Sequence, residues 1–337
     1  MKRCFWYHKK ILITGGAGFI GSNLAKNLVN NGSIVTIVDN LERGKLEYIK
    51  DIENEIKFIK LDLSDEYSCG KLFEDKYDIV IHLASKVGGI GFYLSNPYSV
   101  MNTMIKVDSN ILNNVIRSKI KYYFYASSAH VYPKELQQSA DSLPIFEDQD
   151  FPSNPELSYG WAKLVGEKQI QYAAEENPFL KFAIGRYVGI YGPNQDYDLK
   201  TGSVIPVFIN RVINYPTVPF TIWGTGQETR SYCYIEDAIE CTKLMVEKLD
   251  KLSKVGPLNI GKKEKVKIQN IAQKIIKISG KNIPISYDKT KETKIWGQWC
   301  DCSKAYDVLG GWQANVSFED GLLKVYHDIQ RRIKDAK

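Results

Sequence analysis

An apolar run, KILIT (10–14), leads without a break into GGAGFIG (15–21), and a helix-like stretch (21–31) opens there. Strand, glycine-rich turn and helix in direct succession leave few folds open. Gly15 suits a tight turn, Gly18 lets the backbone approach a pyrophosphate, and Gly21 lets the helix pack close to the strand. The unpaired amides and positive end of such a helix then hold the anion.

The runs SIVTIVD (33–39), KFIKLD (57–62), DIVIHLA (78–84), KYYFYAS (121–127) and KFAIGR (181–186) repeat the strand pattern, with helix-like stretches at 97–118 and 157–176. This alternation predicts an α/β fold, a Rossmann-type doubly wound parallel sheet covered on both faces by helices. Beyond 186, YGPNQDYDLKTG (191–202) and WGTGQETRS (223–231) break the rhythm and predict a smaller C-terminal α/β lobe. The expected division is 1–186, with 231–262 returning to it, for the dinucleotide lobe, and 187–230 with 263–337 for the substrate lobe. Two lobes imply a cleft.

Asp39 ends the second strand, where a carboxylate accepts hydrogen bonds from a ribose diol and repels a 2′-phosphate, favouring NAD over NADP. Arg43 keeps the phosphorylated cofactor open. Asp62, read as closing the third strand, suits either an adenine contact or a helix cap.

Composition narrows the function classes. With 44% apolar and 25% charged residues, the 337-residue chain is ordinary for a soluble globular protein. The formal charge of +6 is spread along the sequence, so anionic small molecules fit better than nucleic acid. Six cysteines lack a second ligand pair beside Cys300-Asp-Cys302, which predicts reduced thiols, no metal site and a cytoplasmic protein. MKRCFWYHKK is read as a short exposed lead-in with no signal-peptide cleavage site, and no run suggests a membrane span.

YGWAK (159–163) opens a helical stretch, so Tyr159 and Lys163 share a face. An ammonium beside a phenol, with the nicotinamide charge nearby, favours phenolate and suits it to take a hydroxyl proton. Ser128, at the end of ASS (126–128), is placed to bond the same hydroxyl.

Together GGAGFIG, the serine of ASSAHVYP (126–133) and YGWAK resemble the extended short-chain dehydrogenase/reductase family of nucleotide-sugar enzymes. The likeness runs through YGPNQ, WGTGQETRSYCYIEDA and PLNIG to WQANVSFEDGL. HLASKVGGIGFYLSNP (82–97) and GSVIP (202–206) resemble the branch containing GDP-mannose 3,5-epimerase and GDP-fucose synthase. The resemblance implies NAD held by Gly15, Gly18, Phe19, Ile20, Gly21, Asp39, Asn40, Asp62, Leu63, Leu83 and Ala84 beside Tyr159 and Lys163. It implies a nucleotide sugar, GDP-linked, held by Gly89, Ser128, His130 and Arg230. It also implies a homodimer through 97–118 and 157–176, burying Ile111, Leu112 and Val115.

Such enzymes commonly oxidise C4 of the sugar, and the ketone acidifies C3 and C5. His130 stands where the resembled epimerases carry an acid/base cysteine, and imidazole is a competent base. Ser203 and Val204 replace the second acid of those epimerases, and Ala129 replaces the aspartate expected beside a dehydratase glutamate. Both a carbon base and a substrate-orienting group remain open for His130. The expected activity is an NAD-dependent nucleotide-sugar epimerase; the rivals are a 4-dehydrogenase or 4-ketoreductase, a dehydratase and a non-catalytic dinucleotide binder. Trp296 and Trp299, in place of a diphosphate arginine, suit either stacking on a base or core packing.

Overall fold

The computed structural model describes residues 5–291 and 295–335. Its central sheet contains β1 (Lys10–Thr14), β2 (Ile34–Asp39), β3 (Ile56–Lys60), β4 (Ile79–His82), β5 (Tyr122–Ser128) and β6 (Lys181–Tyr187). The strand Leu258–Ile260 pairs with β6, and the order across the sheet is Leu258–Ile260, β6, β5, β4, β1, β2, β3, all parallel. From β1 the chain winds outward one way, and from β4 the other. The loops after these two strands therefore part at the sheet centre and open a crevice.

Both faces of the sheet are covered, which is why its strands read as nearly continuous apolar runs. Successive side chains alternate between faces: Ile11, Ile13 and Ile37 join one buried cluster, Leu12 and Val38 the other. The first face packs against α1 (Phe19–Asn30). The second packs against α2 (Glu66–Leu72), α4 (Pro97–Arg117) and α5 (Ser158–Glu176), with the short α3 (Ile90–Ser95) leading into α4.

The second lobe gathers α6 (Val204–Ile213) against the helices Ile268–Ser279 and Phe318–Asp335. Its strands are short. Thr229–Arg230 lies between Val266–Lys267 and Gly297–Gln298, which fixes Arg230 at the rim of the cleft.

Three expectations need correction. The N-terminal lead-in is exposed only in part: Tyr7 and His8 face solvent, but Trp6 is 1% exposed and its indole N–H donates to Glu247 at 2.5 Å, because a large ring next to the first strand has core surface to cover. Cys4 lies outside the described residues. β3 ends at Lys60, so Asp62 lies in an exposed loop; its carboxylate accepts the Ser64 N–H at 2.9 Å and caps no helix. Ile111, Leu112 and Val115 face the sheet within the chain, at 0%, 6% and 0% exposure, and cannot form a dimer face. The amphipathic period of α4 marks a buried face but does not say against what. Among the described residues, no helix is long and apolar enough to cross a membrane.

Candidate functional site

Two cavities meet above the C-terminal ends of the strands. The first, about 420 Å³, runs from the glycine turn to Tyr159. The second, about 340 Å³, runs from His130 to Trp223 in the smaller lobe. Every residue expected at the cofactor lines the first: Gly15, Gly18, Phe19, Ile20, Gly21, Asp39, Asn40, Asp62, Leu63, Leu83, Ala84, Tyr159 and Lys163. Ser128 lines it too. Gly89 and Arg230 line the second, and His130 lines both.

The glycine turn has the shape that the spacing demands. Gly15 has φ +67°, and a Cβ there would press on the backbone of Ala84. A Cβ on Gly21 would strike the carbonyl of Gly15, so α1 packs against the turn only because residue 21 is glycine. α1 has no acidic residue in its first turn and no side-chain cap, leaving its N-terminal amides for an anion. Asp39 is buried, accepting from Ala17 N at 3.1 Å and Leu41 N at 2.9 Å, and burial raises its pKa. Each carboxylate oxygen keeps a further lone pair. Arg43 is committed elsewhere: its guanidinium donates to Asp196 Oδ2 at 2.8 Å and to the Thr201 carbonyl at 3.2 Å.

At the junction, burial pushes the Tyr159 phenol up to about 12, while the hydroxyls of Ser128 and Ser85 pull it down. Ser85 Oγ is buried and makes no hydrogen bond among the described residues, although it lies close enough to favour phenolate. Lys163 is 1% exposed, with Nζ 4.6 Å from the Tyr125 ring centre. Burial favours its neutral form, opposed by the charges of Asp108 and Glu167. His130 stands edge-on to Tyr159, ring centres 5.7 Å apart. Burial, and then the charge of Arg230, press its pKa down to about 4. It is therefore neutral at ordinary pH.

A glycine turn at an uncapped helix start, a buried carboxylate ending β2, and Ser128, Tyr159 and Lys163 on one groove have the chemistry that a nicotinamide redox site requires. Residues 11–261 match the model of the NAD dependent epimerase/dehydratase family. The chain belongs to that family. Its cofactor is NAD, and the glycine turn and Asp39 are the residues whose chemistry suits it.

Among similar proteins, GDP-mannose 3,5-epimerase of Arabidopsis thaliana is 30% identical over 97% of this chain and 84% of its own length. UDP-N-acetyl-alpha-D-glucosaminuronate decarboxylase of Bacillus cytotoxicus is 32% identical, over 93% of this chain and 95% of its own. The structure of UDP-glucuronic acid 4-epimerase from Bacillus cereus, in complex with UDP-glucuronic acid and NAD, superposes with TM-score 0.82 at 29% identity. It covers 96% of this chain and 99% of its own.

The second cavity holds what sequence reasoning missed. Arg211, on the inner side of α6, donates to the Thr221 carbonyl and lines this cavity with Trp223, Lys291 and Glu228. A single cation, next to Asn210, in the largely apolar run VIPVFINRVI was the available signal. Lys291 lies 4.3 Å from the Trp223 ring centre. Tyr93 lines both cavities, 5.0 Å from the Tyr159 ring centre. Arg230 does reach the cavity, but its guanidinium is tied to the carbonyls of Thr229 (2.8 Å) and Ile295 (2.9 Å). Trp296 and Trp299 line neither cavity; Trp299 donates to the Ser142 carbonyl at 2.7 Å, so packing and not base stacking accounts for it.

Proposed function

We propose that the protein is an NAD-dependent epimerase of a nucleotide-linked sugar, GDP-linked in preference, acting through a transient ketone at C4. The carrying observation is that His130 is shared by both cavities and stands beside Tyr159. A sugar at that junction has its reacting carbons between a redox site and an imidazole.

Bound NAD, held by the glycine turn and Asp39, would supply a reversible hydride acceptor for C4. Tyr159 takes the proton of the C4 hydroxyl, Ser128 holds that hydroxyl, and the Lys163 ammonium favours the phenolate. His130, neutral because it is buried, accepts a proton from C3 or C5 once the neighbouring carbonyl has acidified it. Arg211, Arg230 and Lys291 give the second cavity the positive charge that a diphosphate requires. The GDP preference rests on the GDP-mannose 3,5-epimerase relatives; the UDP-sugar relatives favour the other base.

Turnover in deuterium oxide tests the reaction. Deuterium is expected at C3 or C5 and not at C4, and His130→Asn should lose that label while the nicotinamide is still reduced. Turnover with no label at C3 or C5 makes the protein a C4 epimerase or a 4-dehydrogenase. Mass spectrometry of co-purified ligands tests the nucleotide, and a retained UDP-sugar would remove the GDP preference.

For assembly, the outward sides of α4 and α5, where Tyr98, Trp161 and Tyr172 are exposed, are the proposed two-fold contact. Light scattering at micromolar concentration should give twice the chain mass; a monomer mass counts against the pairing.

A further inference from the structure

Behind the Ser-Tyr-Lys set lies a buried polar chain that the proposed reaction does not use. Thr14, the last residue of β1, accepts at Oγ1 the backbone N–H groups of Leu83 and Ala84, both at 3.1 Å. Both lone pairs are then taken, so its O–H must donate to Nδ1 of His82, 2.6 Å away. That leaves the imidazole proton on Nε2, where it is donated to Asp108 Oδ1 at 2.9 Å. His82 is consequently neutral, and its contact with Asp108 is a hydrogen bond to a carboxylate rather than an ion pair. Asp108 Oδ2 accepts the Tyr125 hydroxyl at 2.6 Å. Both oxygens act as acceptors, as in an ionised carboxylate, and the side chain is 4% exposed.

An ionised carboxylate so deeply buried needs a counter-charge. His82 on β4 is neutral, and Tyr123 and Tyr125 on β5 are phenols that burial holds well above the ordinary range. On α5, Tyr159 is a phenol likewise raised by burial. Glu167, also on α5, is already neutralised: Arg186 donates to Oε1 at 2.9 Å and to Oε2 at 2.6 Å, and Ser127 donates to Oε1. Among the described residues, the cation whose charge lowers the pKa of Asp108 is Lys163, its Nζ 4.6 Å from the ring centre of the same Tyr125 that donates to Asp108. α5 comes close here because residue 166 is glycine; a Cβ would run into the Tyr125 hydroxyl and Asp108 Oδ2.

We propose that Asp108 is the counter-charge and positioning residue of Lys163, a buried carboxylate that keeps the lysine an ammonium and links its placement, through His82 and Thr14, to the glycine turn. The inference rests on Lys163 lying beside Tyr159 in an NAD site, and not on which sugar is bound or which carbon is inverted.

The test uses the NAD-bound protein with lysine labelled with nitrogen-15 at Nζ, Lys163 being identified by its missing signal in Lys163→Arg. In the parent, Lys163 should stay an ammonium between about pH 6 and pH 9, whereas in Asp108→Asn it should become an amine within that range, since burial is then opposed only by Glu167, which Arg186 already pairs. Tyr125→Phe removes one hydrogen bond but keeps the ring and the carboxylate, and should leave Lys163 an ammonium. The proposal is overturned if Lys163 stays charged in Asp108→Asn, or if Tyr125→Phe discharges it equally. The parent titration is decisive even if Asp108→Asn does not fold, since a neutral Lys163 there also overturns the proposal. No sugar is needed, so failure of the epimerase reading leaves this measurement unaffected.

Discussion

His130 occupies a site that denies it a proton. Its pKa is about 4 in the folded chain, against an ordinary value of 6.5. Between these values the unfolded chain binds more protons, so stability should fall as pH drops from about 6.5 through about 4. His82, lowered by burial, contributes in the same direction. His130→Asn should therefore flatten the decline without removing it, as measured by urea midpoints near pH 7 and near pH 5. An unchanged slope would mean that the imidazole is not protected. That Tyr159 and Lys163 share a groove could be read from the sequence, because four residues on a helix is one face; Ser128 joins them on the same cavity. The depressed basicity of His130 could not be read, because it comes from walls that distant segments supply, Arg230 among them.

At the scale of elements, the important contact is between the start of α5 and the turn after β5. α5 begins at Ser158, so Tyr159 lies in its first turn, and Gly160 packs against the turn that carries His130. A Cβ on residue 160 would strike the His130 carbonyl. Gly160→Ala should cost about 1–3 kcal/mol by overpacking and separate Tyr159 from His130. Urea unfolding and initial rates check this: a variant of parental stability and rate would show the contact to be loose. Strands β1, β2, β5 and β6 were legible to within a residue or so, since burial on both faces makes apolar runs. The two-residue strands of the second lobe were not, because pairs such as Thr229–Arg230 carry no period and are defined only by their partners.

Across the whole molecule, the segment 191–202 spans the two lobes. Asn23 donates to the Pro193 carbonyl at 3.1 Å, and Arg332 donates to the Gln195 carbonyl at 2.8 Å and to Tyr48 at 2.7 Å. Arg43 reaches Asp196 and Thr201, and Thr201 accepts the Gly89 amide at 2.9 Å. This strap lines the first cavity through Asn194, Gln195, Asp196 and Thr201. The Arg43–Asp196 pair is partly exposed and worth about 1 kcal/mol at most, so Arg43→Ala should speed NAD release by up to about 5-fold. Stopped-flow dilution of the NAD complex measures it, and an unchanged rate would separate the strap from cofactor retention.

The sequence by itself determined the parallel sheet, the glycine turn and the shared face of Tyr159 and Lys163, because each is a local pattern whose spacing is its geometry. Only the tertiary structure decided where the remaining residues serve. It turned Ile111 and Val115 inward, committed Arg43 to Asp196, drew Trp6 into the core and brought Thr14, His82, Asp108 and Tyr125 into one buried chain. These partners are tens to hundreds of residues apart, and hydrogen bonding and desolvation depend on what lies within a few ångströms, which no spacing along a chain records.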